Sequence, residues 1–191
     1  MNADEILRRA TSGTLIKADQ DMVAEALLAR DPKLDRYTLL LSLGRAMARQ
    51  HSKVVESYLN EEHDPMLARL ALQILCKFWS GTVHYLPIVE RALDGLAWDE
   101  EDDVRQMALS IAGEYLREAE YPRFLEQLLD AVEDETEDDV IRKDAYLSLA
   151  RAMGVEWDEL PPLSRLPPLD EFLDKALVRS AEMRLQRVQS V

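Results

Sequence analysis

The chain has 191 residues, 47% of them hydrophobic and 31% charged, a composition that fits a folded soluble domain and excludes a disordered or fibrous chain. Its 37 acidic residues against 23 Lys and Arg give a formal charge of −14, which disfavours a protein that holds nucleic acid mainly through its phosphates. The single cysteine, Cys76, excludes an intramolecular disulfide and any multi-cysteine zinc site. The N-terminus is charged throughout and no apolar run approaches the ~18 residues of a membrane span, so neither a leader nor a membrane partner is expected, and a cytoplasmic location is.

Apolar residues recur at helical rather than alternating spacing almost everywhere, which makes the fold class all-α. Residues 3–17 and 20–30 read as an N-terminal helical pair. DPKLDRYTLLLSLGRA follows from Asp31, with an acidic cap, and residues 52–61 form the next helix. In residues 65–79, Leu67, Leu70, Ala71, Ile74, Leu75 and Phe78 fall on one stripe of a helix, with Asp64 as cap and Pro65 in the first turn. Further helices are expected from His84 (HYLPIVERALDGL), Asp102 (DDVRQMALSIAGEY), Tyr121 (YPRFLEQLLDAV) and Asp138 (DDVIRKDAYLSLARAMG). WDELPPLSRLPPLDEF then carries Leu-Pro-Pro-Leu twice, at 160–163 and 166–169, where proline blocks a normal helix. Residues 156–169 are therefore expected to be an extended bracket laid on the preceding helices. A final amphipathic helix, 170–191, should place Phe172, Leu173, Ala176 and Leu177 inward.

Four of these helices share one pattern: an acidic start, an apolar ridge, and a small residue about a dozen positions on. Those small residues, Gly44, Cys76, Gly113 and Ala150, are spaced 32, 37 and 37 apart. A second helix follows each of the first three, and Ile88, Val89 and Leu93 recur as Phe124, Leu125 and Leu129 at a constant offset of 36. Two helices in every 32 to 37 residues is an α-solenoid signature. Over roughly residues 20–155 the chain resembles the HEAT-like repeat family, through the acidic or Asp-Pro helix start, the Arg soon after it (Arg69, Arg105, Arg142), the Ala-Leu ridge (Ala71-Leu72, Ala108-Leu109) and the closing small residue. The first repeat departs from the pattern, being shortened and carrying Leu39-Leu40. The resemblance implies a short right-handed α-solenoid of about four to five helix pairs, with residues 1–155 as the repeat domain and the bracket and C-terminal helix belonging to it.

The charge is concentrated. Residues 99–139 hold 16 acidic residues and three Arg, a net of −13, while the other 150 residues are near neutral. The acids cluster in two runs, Asp99, Glu100, Glu101, Asp102 and Asp103, then Glu133, Asp134, Glu135, Glu137, Asp138 and Asp139, each leading into the first helix of a repeat. Capping and the helix dipole account for one or two carboxylates per loop, whereas five or six repel one another. Equivalent loops of a solenoid stack, so the runs are expected to form an acidic edge, extended by Glu61, Glu62 and Asp64, that steers a basic protein partner. Trp98, whose counterpart at the 36-residue offset is Asp134, is a candidate anchor, with Glu90 and Glu126 expected nearby. The expected function is non-enzymatic protein binding, as an inhibitor or immunity-type protein, an adaptor or an assembly chaperone.

Other chemistries have weaker signals. Neither acidic run has the glycine of an EF-hand loop, and neither a metal nor a cofactor is expected. His51, His63 and His84 lie near helix ends and form no HExxH, Cys76 sits at the small-residue packing position, and no GxSxG or phosphate-binding glycine loop occurs. Trp79 and Trp157 read as packing residues. Through the HEAT-like resemblance two enzymes remain as alternatives, a lyase acting on a protein-bound chromophore, with Glu90, Glu126 or Asp144 as unranked acid or base, and a DNA glycosylase, which the charge opposes. A purely structural repeat module is the third reading. The mildly basic last helix, with Lys175, Arg179, Arg184 and Arg187, is expected to fold against an acidic body, and Arg165 with the prolines after it to be structural.

Overall fold

The structure, a computed structural model, describes residues 2–160 and 166–190 apart from the Trp157 side chain. Its described residues form eleven α-helices and no strand. They fall into two compact units, residues 1–86 with 97–104, and residues 87–96 with 105–191.

The first unit is built on α1 (Ala3–Thr11), α2 (Lys17–Ala29), α3 (Arg36–Arg45), α4 (Ser52–Glu56) and α5 (Pro65–Gln73). Both α1 and α2 pack on α3, which packs on α5, around a core that includes Val23, Leu27, Leu40, Leu43, Leu67 and Leu70. Asp64 caps α5 as expected, its Oδ1 accepting from Leu67 N at 3.4 Å, with Pro65 first in the helix, where no intrahelical donor is needed. The cap of α3, by contrast, is Asp35, which accepts from Thr38 N at 3.0 Å. Asp31 instead closes a turn, accepting from Lys33 N at 2.9 Å, so the Asp-Pro start expected there lies one turn early.

The helix expected to run to residue 79 changes character after Gln73. Ile74–Phe78 form a π turn, closed by Trp79 N donating to Ile74 O at 2.9 Å. This turn lies against Gly44 of α3, where a Cβ would stand 2.6 Å from Ile74 Cγ1, and the Trp79 indole donates to Gly44 O at 3.2 Å. Cys76 is buried within the turn, and burial pushes its thiol up to about 12, which leaves it a packing group with no thiolate for chemistry. Two contacts reach back 31 residues: Tyr58 Oη donates to Leu27 O at 2.7 Å, and Arg30 pairs with Glu61. Glu61, expected to extend an acidic edge, is thus buried and neutralised.

The second unit contains most of α6 (Leu86–Leu93), α7 (Asp103–Glu118), α8 (Pro122–Glu133), α9 (Asp139–Ala152), α10 (Leu169–Phe172) and α11 (Lys175–Gln189). Of the residues paired by the 36-residue offset, Val89, Leu93, Phe124, Leu125 and Leu129 are buried and Ile88 is half-buried. Tyr115, Tyr121 and Phe124 stack edge to face with centroids 4.7 to 6.3 Å apart, joining α7 to α8. At Gly113 the backbones of α7 and α9 touch, since a Cβ there would stand 2.5 Å from Ser148 O and 2.9 Å from Ser148 Cα. Arg151 is 2% exposed and pairs with Glu114 and Glu156, both at 3.2 Å.

Two arginines 37 residues apart do the same work. Arg105 Nε donates to Leu93 O at 3.1 Å, at the end of α6, and its guanidinium pairs with Glu137. Arg142 Nε donates to Val132 O at 3.3 Å, near the end of α8, and its guanidinium pairs with Asp170 at 3.1 Å. Each satisfies a carbonyl that a helix end would leave orphaned and ties it to an acid about 30 residues downstream.

Of the proline-rich bracket, residues 161–165 lie outside the described residues, and with them Arg165 and most of the first Leu-Pro-Pro-Leu copy. Residues 166–168 have no helical structure, Leu169 is buried, and its N–H donates to Asp139 Oδ1 at 3.0 Å. The last helix is interrupted: α10 ends at Phe172, and Asp174 caps α11, accepting from Ala176 N at 2.8 Å. The restart shifts the helical phase, so Leu169, Val178 and Ala181 are buried while Ala176 is exposed and Leu173 and Leu177 are half-buried. Packing of α11 on α8 and α9 is fastened by Arg184, which donates to Leu116 O and Ala152 O, both at 2.7 Å, and pairs with Glu120 at 3.1 Å.

Candidate protein-interaction site

The first acidic run folds around its own first member. Asp99 is 4% exposed, and its Oδ2 accepts from Val104 N at 2.8 Å, so it serves as the side-chain cap at the start of α7. This corrects the expectation that Asp99 stands on a surface edge: the cap comes from four residues before the helix, with Asp102 in the left-handed region at φ 56° to allow the bend. Asp102 and Asp103 are half-buried. Glu100 and Glu101 are exposed and, among the described residues, carry no side-chain hydrogen bond or ion pair. Trp98 is half-buried in the turn before them.

The second run is also largely committed to local structure. Asp134 Oδ1 accepts from the Thr136 hydroxyl at 2.7 Å and from Thr136 N at 2.9 Å, and these bonds hold its carboxyl below the usual range. Glu137 pairs with Arg105, and Asp138 caps α9 by accepting from Val140 N at 2.7 Å. Asp139 binds Leu169 N and, at 2.6 Å, Lys143 Nζ, which together depress its pKa. Glu133 and Glu135 are exposed. Burial of part of the Glu133 side chain, and then its hydrogen bond to the Glu182 carboxyl on α11, push the Glu133 pKa upward, whereas Glu135 has no side-chain partner among the described residues.

A pH dependence follows for Asp139. Its folded pKa lies below the ordinary 3.8, so its contribution is complete above that value and is lost as pH falls through the folded one. Asp139→Asn is therefore expected to be less stable than the parent chain at pH 7 and to converge with it as pH falls through the folded pKa, where the aspartate loses its charge. Urea midpoints measured across this range check it, and a gap that persists at the acid end would show that the amide is simply a poorer fit.

Glu90 and Glu126 lie on α6 and α8 and are engaged within the second unit. Glu90 accepts from Tyr121 Oη, a bond that raises the Tyr121 pKa, and Glu126 pairs with Arg123 at 3.0 Å. Beside them is a groove of about 200 Å³ lined by Asp94, Asp130, Asp134 and Glu137 together with Arg105, Arg123, Gln127, Leu93 and Ala131. A second cleft, of about 320 Å³, brings Glu133 and Glu135 together with Arg142, Lys175, Arg179 and Glu182 over Val132, Leu173 and Val178. The sequence reading missed Asp94, Asp130 and Gln127, although Asp94 and Asp130 are related by the same 36-residue offset that revealed the apolar pairs. Among the described residues no three His, Cys, Asp or Glu side chains are placed to hold a metal ion, and no helix is long and apolar enough to cross a membrane.

Compared with protein-family models, with curated proteins and with solved structures, the chain matches none. Its described residues define an all-helical protein with acidic loops at the starts of α7 and α9.

Proposed function

We propose that this chain is a cytoplasmic, non-enzymatic HEAT-like module whose acidic loops engage a basic protein partner, as an inhibitor or immunity-type protein or as an adaptor. The observation that carries this reading is the residue of charge left once the fold has used what it needs. Asp99, Asp134, Glu137, Asp138 and Asp139 are occupied by caps, turns and ion pairs, while Glu100, Glu101 and Glu135 have no internal task and Glu133 faces another carboxylate. Within each loop, exposed acids this close along the chain repel one another, and a cationic surface relieves that repulsion. The repeat reading draws support from the paired roles of Arg105 and Arg142 and from tertiary hydrogen bonds that recur at separations near 30 and 37 residues, such as Tyr58 to Leu27, Tyr121 to Glu90 and Arg151 to Glu114.

The test is affinity capture from native lysate with the parent chain and with a variant carrying Glu100→Gln, Glu101→Gln, Glu133→Gln and Glu135→Gln, at low and high salt. All four positions are exposed, so the variant is expected to keep its fold. The expected result is one basic protein retained by the parent chain, lost from the variant and weakened by salt. Equal retention by both chains would move binding away from the loops, and retention of nothing would overturn the reading.

A further inference from the structure

The two arginines that fasten helix ends in the second unit have a counterpart in the first that fastens nothing. Arg105 bonds the Leu93 carbonyl and pairs with Glu137. Counting back 36 residues, the offset that relates the helix pairs, gives Arg69 for the arginine, Ser57 for the carbonyl and Glu101 for the acid. All three lie in the first unit, which holds both α5 and residues 97–104. Their bonds are not made. Arg69 is half-buried on α5, and among the described residues neither its side chain nor that of Glu101 has a hydrogen bond or ion pair. The gap is local, because Arg36, near the start of α3, does reach the acid 28 residues on, Asp64, at 3.9 Å.

The cause lies at the carbonyl. Ser57 O, just past the end of α4, is taken by Arg30, whose Nη2 donates to it at 3.0 Å while Nη1 pairs with the buried Glu61 and the guanidinium carbon stands 4.9 Å from the centre of the Tyr58 ring. Arg30 thus spends its planar fork where Arg69 would be anchored. Without that anchor, pairing Arg69 with Glu101 would immobilise two long side chains for a single partly exposed ion pair, which is worth little. We infer that Arg30 is a positioning residue that holds an Arg69–Glu101 latch open and so keeps Glu101 free for a cation from outside, an inference that rests on the basic-partner reading above and names what regulates the charge of its first loop. The backbone around Glu101 is pinned, by Asp102 N donating to Asp99 O at 3.0 Å and Val104 N donating to Asp99 Oδ2 at 2.8 Å, so the freedom of Glu101 is that of its side chain.

The test uses the full chain, labelled with nitrogen-15. Arg30→Met combined with Glu61→Gln frees the Ser57 carbonyl without stranding a buried charge and without altering the net charge. In this variant the Nε–H signal of Arg69 is expected to shift and to exchange more slowly with water, and adding Glu101→Gln to reverse both changes, whereas in the parent chain Glu101→Gln leaves that signal where it is. Binding of a tetralysine peptide is expected to weaken about three-fold in the variant, and Arg69→Gln to strengthen it by a larger factor there than in the parent chain. Arg30→Lys, which offers one compact ammonium in place of the fork, supplies the same comparison if the combined variant does not fold. An Arg69 signal that ignores Glu101 in the variants overturns the latch, as does one that already responds to Glu101 in the parent chain. A latch that closes while tetralysine binding ignores it would overturn the basic-partner reading and leave the latch standing. Tetralysine binding that depends on loop charge while Arg69 stays unmoved would keep that reading and overturn the latch.

Discussion

Arg151→Ala is expected to lower the unfolding free energy by about 3 to 4 kcal/mol, while Arg151→Met costs about 1 to 2. Arg151 is among the largest fully buried side chains in the protein, at 2% exposure. Its guanidinium is held by Glu114, by Glu156 and by the Val155 carbonyl. Truncation to Ala opens a cavity the size of the side chain and removes the donor from the Val155 carbonyl. The acidic partners soften the loss, because the side chains of Glu114 and Glu156 are 31% and 55% exposed and can turn to water instead of being stranded as buried charges. Volume should therefore weigh more than charge, and Met, which restores most of the volume, should recover most of the stability. Urea unfolding of the two variants decides it: equal losses would show that the ion pairs and not the packing dominate.

Gly113→Ala is expected to cost a net ~2 kcal/mol, enough to lower the melting temperature by roughly 4 to 8 °C. Two effects oppose each other. In the middle of a helix, Ala is intrinsically better than Gly by about 1 kcal/mol. Here, however, the new Cβ would lie 2.5 Å from the Ser148 carbonyl oxygen and 2.9 Å from Ser148 Cα, so two helix backbones must separate before it fits. Gly44 supplies the control. Its close neighbours are the side chains of Ile74 and Phe78, which can change rotamer without moving a helix, and Gly44→Ala should cost less than half as much. Calorimetry on the pair checks the ordering, and a neutral Gly113→Ala would mean that α7 and α9 slide apart without penalty.

Much of the helical layout was legible in the sequence. The small residues at Gly44 and Gly113 were read as close-packing positions, and both are, because a missing Cβ in an otherwise apolar ridge has few other uses. Asp64, Pro65 and Asp138 announced their helix starts by local chemistry alone. The errors came where two local signals competed. Asp31 and Asp35 both preceded apolar runs, and only the turn closed by Asp31 decides which of them caps α3. Likewise, the π turn at Ile74–Phe78 and the break at residues 173–174 each shift a helical phase that periodicity carries straight through.

Local pattern, then, was enough for the all-helical class, the order and approximate spans of the helices, and the concentration of acid in residues 99–139, since periodicity, capping residues and charge are properties of neighbours along the chain. Which of those acids remain free was a matter for the tertiary structure. Asp99 turned inward to serve a donor five residues away, Glu61 met an arginine 31 residues before it, and Glu137 met one 32 residues before it. Gln127, with one end of its amide bonded to α6 and the other unmet, gave no sign in the sequence at all. The physical reason is the same in each case: whether a polar group is satisfied depends on what lies opposite it in space, and for Glu61, Glu137 and Gln127 the opposing groups are 30 or more residues distant along the chain.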